Sequence, residues 1–157
     1  MATFTKIQSF TENLVNAGVD LKNDVIQLAF SNTAPATDVV QDASGTTNGI
    51  LGSVTQINAG AYTNWLDDLT VDRVLTTATI ASTHASGVLT YDYTADIIIT
   101  ADTGGISDWR YIYLFDNTIA TPVDPLICYW DHGSAITLGS GDSATLQPNA
   151  SGFFTIT

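Results

Sequence analysis

The chain opens on a helical spacing of apolar residues: Phe4, Ile7, Phe10, Leu14 and Val15 recur every three to four positions. This predicts an amphipathic helix over residues 4–17, with Thr3 or Thr5 placed to cap its start and Gly18 to end its last turn. The apolar stripe must be covered, either by the chain's own sheet or by a neighbouring subunit. The period then falls to two. In DVIQLAFS (Asp24–Ser31), Ile26, Leu28 and Phe30 fall on one face of a strand. Residues 38–68 form a polar excursion rich in Gly, Asn, Thr and Asp. A loop of that length inside a compact domain either has a job or holds short strands. SVTQI (Ser53–Ile57) and YTNWL (Tyr62–Leu66) are the strands it predicts.

From residue 71 to 157 the pattern is a run of antiparallel strands. RVLTTATIAS is a strand ending at Ser82, and HASG (His84–Gly87) turns the chain. GVLTYDYTADIIITA alternates, with Leu89, Tyr91, Tyr93, Ala95 and Ile97 on one side and Val88, Thr90, Asp92, Thr94 and Asp96 on the other. DTGG (Asp102–Gly105) supplies turn residues. DWRYIYLFD places Trp109, Tyr111, Tyr113 and Phe115 on one face and Ile112 and Leu114 on the other, so a central strand is predicted. PLICYW is a further strand, SAITL and SATLQ pair around GSGD, and GFFTIT closes the chain. Short strands with turn signals between them predict a mainly β single domain, a β-sandwich or jelly-roll-like barrel with a short N-terminal α-helix.

Composition agrees with this reading. The chain has 157 residues, 45% of them hydrophobic. A domain of this size buries about 70% of its unfolded surface and needs no covalent staple. Charged residues are only 13%, and Thr, Ser, Asn and Gly supply the missing polarity, as on a pleated, half-exposed surface. Sixteen acidic residues stand against four Lys and Arg, for a net charge of −12. Phosphate backbones and anionic membranes are therefore excluded as partners, because both need clustered basic residues. No stretch has the apolar character of a signal peptide or a membrane span.

The candidate chemistry is sparse. Cys128 is the single cysteine and sits in an apolar run, which predicts a buried, inert thiol. With two histidines and one cysteine, a zinc site lacks ligands. His132 follows Asp131, an arrangement in which the carboxylate could orient a general base, but a His beside an Asp at a strand end is usually only solvated. Asp67, Asp68, Asp72, Asp102 and Asp108 read as turn residues bonding their own backbone, without the spacing of a calcium loop. Gly139, Gly141 and Ser143 read as a hairpin turn, since no Lys and no helix accompany them. No catalytic residue, metal ligand or cofactor is predicted. As protein-contact residues the sequence offers the stripe Phe4, Ile7, Phe10 and Leu14, and Tyr62 and Trp65 in the polar excursion, because aromatic anchors dominate interface cores.

Three segments together carry a resemblance. MATFTKIQSFTENLVNAGVDLKNDVIQLAFSNTAP, YDYTADIIITADTGGISDWRYIYLFDNT and DPLICYWDHGSAITLGSGDSATL resemble, in order, the helix-then-strand opening, the aromatic-strand middle and the closing segment of small tailed-bacteriophage virion structural proteins. The resemblance implies a non-enzymatic, multicopy component of a phage particle. Its leading form is a capsid decoration, or cement, protein on the outer surface of the head. Such a protein binds the major capsid protein lattice and is itself an oligomer, with a trimer favoured by lattice symmetry. Alternatives are a minor tail or tail-tip component that recognises a host-surface glycan, and a carbohydrate-binding module. The resemblance brings no catalytic residues. It implies that Asp131 and Gly133 shape a corner of the sheet.

Overall fold

The structure is a computed structural model that describes residues 2–36, 48–57, 74–75, 80–93, 96–147 and 152–156. Its elements are β1 (Thr3–Lys6), α1 (Gln8–Asn16), β2 (Ile26–Ser31), β3 (Val74–Leu75), β4 (Ile80–Ala85), β5 (Val88–Tyr93), β6 (Ile97–Thr100), β7 (Ile106–Asp116), β8 (Leu126–Leu138), β9 (Ser143–Leu146) and β10 (Phe154–Ile156). The fold is mainly β, with one short helix and antiparallel sheets in a sandwich-like arrangement. A five-stranded sheet has the order β1-β8-β7-β2-β3. Smaller sheets, β10-β5-β4 and β6-β9, complete the architecture.

The predicted helix over residues 4–17 is corrected at its start. Residues 3–6 are extended and pair antiparallel with β8, Phe4 opposite Trp130 and Lys6 opposite Cys128. The helix begins after Ile7, whose backbone is extended and makes no side-chain cap, so neither Thr3 nor Thr5 caps it. The reason is competition: Thr3, Phe4 and Thr5 suit a strand at least as well as a helix, and β8 offers backbone partners.

Registers across the large sheet define its two faces. Phe4, Trp130, Ile112 and Phe30 lie side by side on one face. Tyr111, Tyr113 and Tyr129 lie on the other, with Tyr129 within 6.3 Å of Tyr111 and 5.6 Å of Tyr113 by ring centroid. Both faces of β7 are buried, as expected of a central strand. The first face meets the helix and the C-terminal strand: Phe154 packs edge-on against Phe10 at 5.5 Å, and Phe153 against Trp130 at 5.1 Å. Tyr91 of β5 anchors the smaller sheet by donating its hydroxyl to the Leu21 carbonyl at 3.1 Å.

Trp109 departs from its expected face. Between Trp109 and Tyr111 the register shifts, so that a step of two residues along β7 matches five along β8, from Asp131 to Ile136. This bulge turns Trp109 over. Its ring packs on Phe30 at 5.0 Å, with the Ile112 face, and not with the tyrosines.

Two turns and one short strand also differ from their sequence reading. His84 pairs with Leu89 inside β4, and the reversal is made by Ser86 and Gly87, both at positive φ (53° and 83°). That is the two-residue hairpin geometry whose twist matches the flanking strands. The segment Ser53–Ile57 is not a ladder strand; a 3₁₀ turn at Leu51–Ser53 leads into an extended piece tied to β2 by Ile57 N–H to Phe30 O. Around GSGD the chain changes sheets. SATL pairs with β6, Ile97 opposite Leu146, so the turn joins two sheets and does not close a hairpin with SAITL.

Candidate functional site

Asp131, Gly133 and His132 sit in the bulge of β8. Arg110, the residue of β7 that the bulge faces, meets Asp131 with two parallel hydrogen bonds, Nε to Oδ1 at 2.7 Å and Nη2 to Oδ2 at 2.8 Å. Oδ1 also accepts the Gly133 N–H at 2.7 Å. Hydrogen bonding to Arg110 holds the Asp131 carboxyl below the usual carboxylate range. Gly133 takes φ 92°, a conformation glycine adopts without a Cβ penalty. The His132 ring meets the Ser134 carbonyl through Nδ1 at 3.1 Å and is exposed. Asp131 is thus committed to Arg110 and to the turn, and among the described residues no carboxylate is hydrogen-bonded to His132. The segment is a corner.

Beside this corner lies a cavity of about 480 Å³. Its walls include Phe4 of β1, Trp109, Trp130, His132, Leu146 and Phe153. Size and lining fall within the range of ligand-sized apolar pockets. Trp109, 1% exposed, belongs to the core as well as to the cavity wall, while Phe4 is 37% exposed at the sheet edge. Gln147 and Thr145 from β9 and its exit add polar groups; Gln147 is held by Asp96 through Nε2 to Oδ2 at 3.2 Å.

The edge itself has a readable bonding pattern. Ile7 N–H donates to the Ile127 carbonyl at 3.1 Å. Along an antiparallel strand, backbone groups point alternately toward and away from the partner. Thr3 and Thr5 therefore bond toward β8, and the amides and carbonyls of Phe4 and Lys6 point away from it. Among the described residues no strand pairs with that side of β1, and Thr3, Phe4 and Lys6 are exposed.

The predicted contact residues separate. Ile7 and Phe10 are 0% and 2% exposed and lie in the chain's own core, so the stripe they were read from covers the chain's own sheet at those positions. Leu14 is half-buried against the same core. Phe4 remains accessible, on a strand and not on the helix. Tyr62 and Trp65 lie outside the described residues, as do Asp67, Asp68 and Asp72. Asp102 accepts its neighbour Thr103 N–H, a turn role, and Asp108 accepts the Thr137 hydroxyl. Cys128 is fully buried, and burial pushes its thiol pKa up. No group of three or more His, Cys, Asp or Glu residues converges as a metal site among the described residues. No helix among them is long and apolar enough to cross a membrane.

A second carboxylate sits at the other end of the large sheet. Asp116, 0% exposed, accepts the Thr118 N–H at Oδ1 (2.7 Å). Its Oδ2 has no hydrogen-bond partner among the described residues, and the neighbouring carboxyl of Asp24 acts on it. Burial, reinforced by Asp24, raises the Asp116 pKa to about 6.

Sequence reasoning did not single out Trp130, Phe153, Arg110 or Asp116. The cavity is built from six separate strands and the C-terminal segment, and no local pattern announces that convergence. The Asp131–Arg110 pair depends on the bulge that brings residues 21 apart together. Comparison with protein-family models, curated proteins and solved structures finds no match.

Proposed function

We infer that this protein is a non-enzymatic structural component of a phage particle, most simply a decoration protein seated on the major capsid protein lattice at the outer surface of the head. Two supports are independent. The ordered resemblance of three segments to small virion proteins supplies the setting. The observation that carries the non-enzymatic half is the engagement of Asp131 by Arg110. It removes the orienting carboxylate from His132, the pair that came nearest to acid–base chemistry in the sequence.

The physical logic of decoration suits such a chain. A small β-domain with a net charge of −12 stays soluble, and weak contacts repeated over a symmetric shell add through multivalency. A homo-oligomer, a trimer above all, matches the local symmetry of the lattice. The test is co-sedimentation of the purified protein with expanded phage shells that lack it. Saturable binding at a few copies per capsomer is expected. Failure to bind, with the fold intact by circular dichroism, overturns the reading.

A further inference from the structure

We propose that the free edge of β1 takes up an extended, basic peptide segment of another protein as an added strand, and that the cavity beside Phe4 receives one large apolar side chain of that segment. Three observations converge on this. First, the outward backbone groups of Phe4 and Lys6 form half of an antiparallel ladder without a partner strand among the described residues. An added strand supplies that half, and main-chain hydrogen bonds of this kind give affinity without demanding a particular sequence. Second, the cavity is lined by residues of this edge, Ala2 and Phe4. A residue paired opposite Phe4 projects onto the same face, continuing the row Phe4, Trp130, Ile112. Its side chain therefore lies at the mouth of the cavity, against Phe4. Main-chain pairing at the edge and an apolar pocket for an alternate side chain are the two parts of strand-addition recognition. Here they share one location.

Third, charge selects the occupant. The net charge of −12 favours an added strand that carries Lys or Arg over an acidic one. Lys6 keeps its charge, since the Thr11 hydroxyl its ammonium meets at 3.0 Å is neutral, but it is one cation against the chain's net −12, and the Arg110 guanidinium is paired with Asp131.

This goes beyond the decoration reading and does not depend on it, since its probe is a synthetic peptide: shells that fail to bind leave it standing, and a peptide that fails leaves the shell assay standing. The probe is a capped peptide of alternating Lys and Thr with a central Trp, titrated into the full chain and followed by backbone amide shifts. Shifts are expected at Phe4 and Lys6 and around Trp130 and Phe153. Exchanging the central Trp for Ala weakens binding at least tenfold, and exchanging Lys for Glu abolishes it. N-methylating the peptide amides that face the edge abolishes binding, while methylating the alternate set leaves it. Phe4→Glu removes binding with the circular dichroism unchanged; should that variant not fold, the two methylated peptides decide the matter alone. The proposal is overturned if millimolar peptide leaves Phe4 and Lys6 unshifted or if both methylated peptides bind alike. A dimer of the free protein through this edge in sedimentation also overturns it, because the edge then belongs to a second copy.

Discussion

The β7–β8 pair holds one carboxylate at its loop end and another at its mid-ladder bulge, where the five-stranded sheet ends, and the protein treats the two in opposite ways. At the loop end, Asp116 is sealed from solvent with Asp24 beside it and, among the described residues, no ion pair to balance them. At the bulge end, Asp131 lies near the surface, doubly bonded to Arg110. One carboxyl is pushed up by burial and the other is pulled down by a guanidinium. The loop end is tied shut: Asn117 N–H bonds the Val25 carbonyl, Asp116 N–H the Pro125 carbonyl and Val25 N–H the Thr118 hydroxyl. The bulge end opens into the aromatic cavity and the edge of β1 that no strand pairs among the described residues. The contrast separates an end closed by its own hydrogen bonds from an end where, among the described residues, one strand edge has no pairing strand, and each prediction below probes one side of it.

The largest effect belongs to the wall both roles share. Trp109→Ala removes a buried ring from the core against Phe30 and is expected to cost about 3–5 kcal/mol in urea unfolding. A loss under about 1 kcal/mol means that Trp109 does not belong to the core. Next comes the loop end. Because the folded-state pKa of Asp116 is raised from 3.8 to about 6, its contribution is full below pH 3.8 and is lost as pH rises through about 6. Stability should fall across that window by roughly 1–3 kcal/mol. Asp116→Asn keeps the acceptor for Thr118 and gives Asp24 a donor. It should therefore raise stability at pH 7 by a similar amount and flatten the slope between pH 4 and 6. An unchanged slope in chemical denaturation removes Asp116 as its source.

At the bulge the effects are smaller. Gly133→Ala meets no atom within 4 Å, so its cost is conformational, about 1–2 kcal/mol for a side chain at φ 92°. Arg110→Ala is the mildest for the fold, because the pair lies near the surface and is screened. A small lowering of the melting temperature is expected, shrinking in high salt. A fall larger than that of Gly133→Ala shows that the pair sets the corner by itself.

Much of this architecture was legible along the chain. Ile26, Leu28 and Phe30 alternate as a strand does, and the double-sided apolar run of residues 109–115 marked a central strand, because both follow from a period of two. What escaped is what register decides. A one-residue slip reverses every side chain beyond it, so the bulge that turned Trp109 over changed which aromatics share a face. Phe4 and Ile7 fit a helix by spacing, yet residues 128–131 of a distant strand claimed residues 3–6. The cavity and the Asp24–Asp116 pair depend on such long-range registers and left no local signature.

Amide hydrogen exchange of the dilute monomer reads the bulge end directly. If β1 is a free edge, protection alternates along it: Thr5 and Ile7 exchange slowly because they donate to β8, while Phe4 and Lys6 exchange at rates near those of an unstructured chain. Equal protection at all four positions means that the outer side of β1 is already satisfied, and it contradicts the assignment of this edge as the protein's open binding surface.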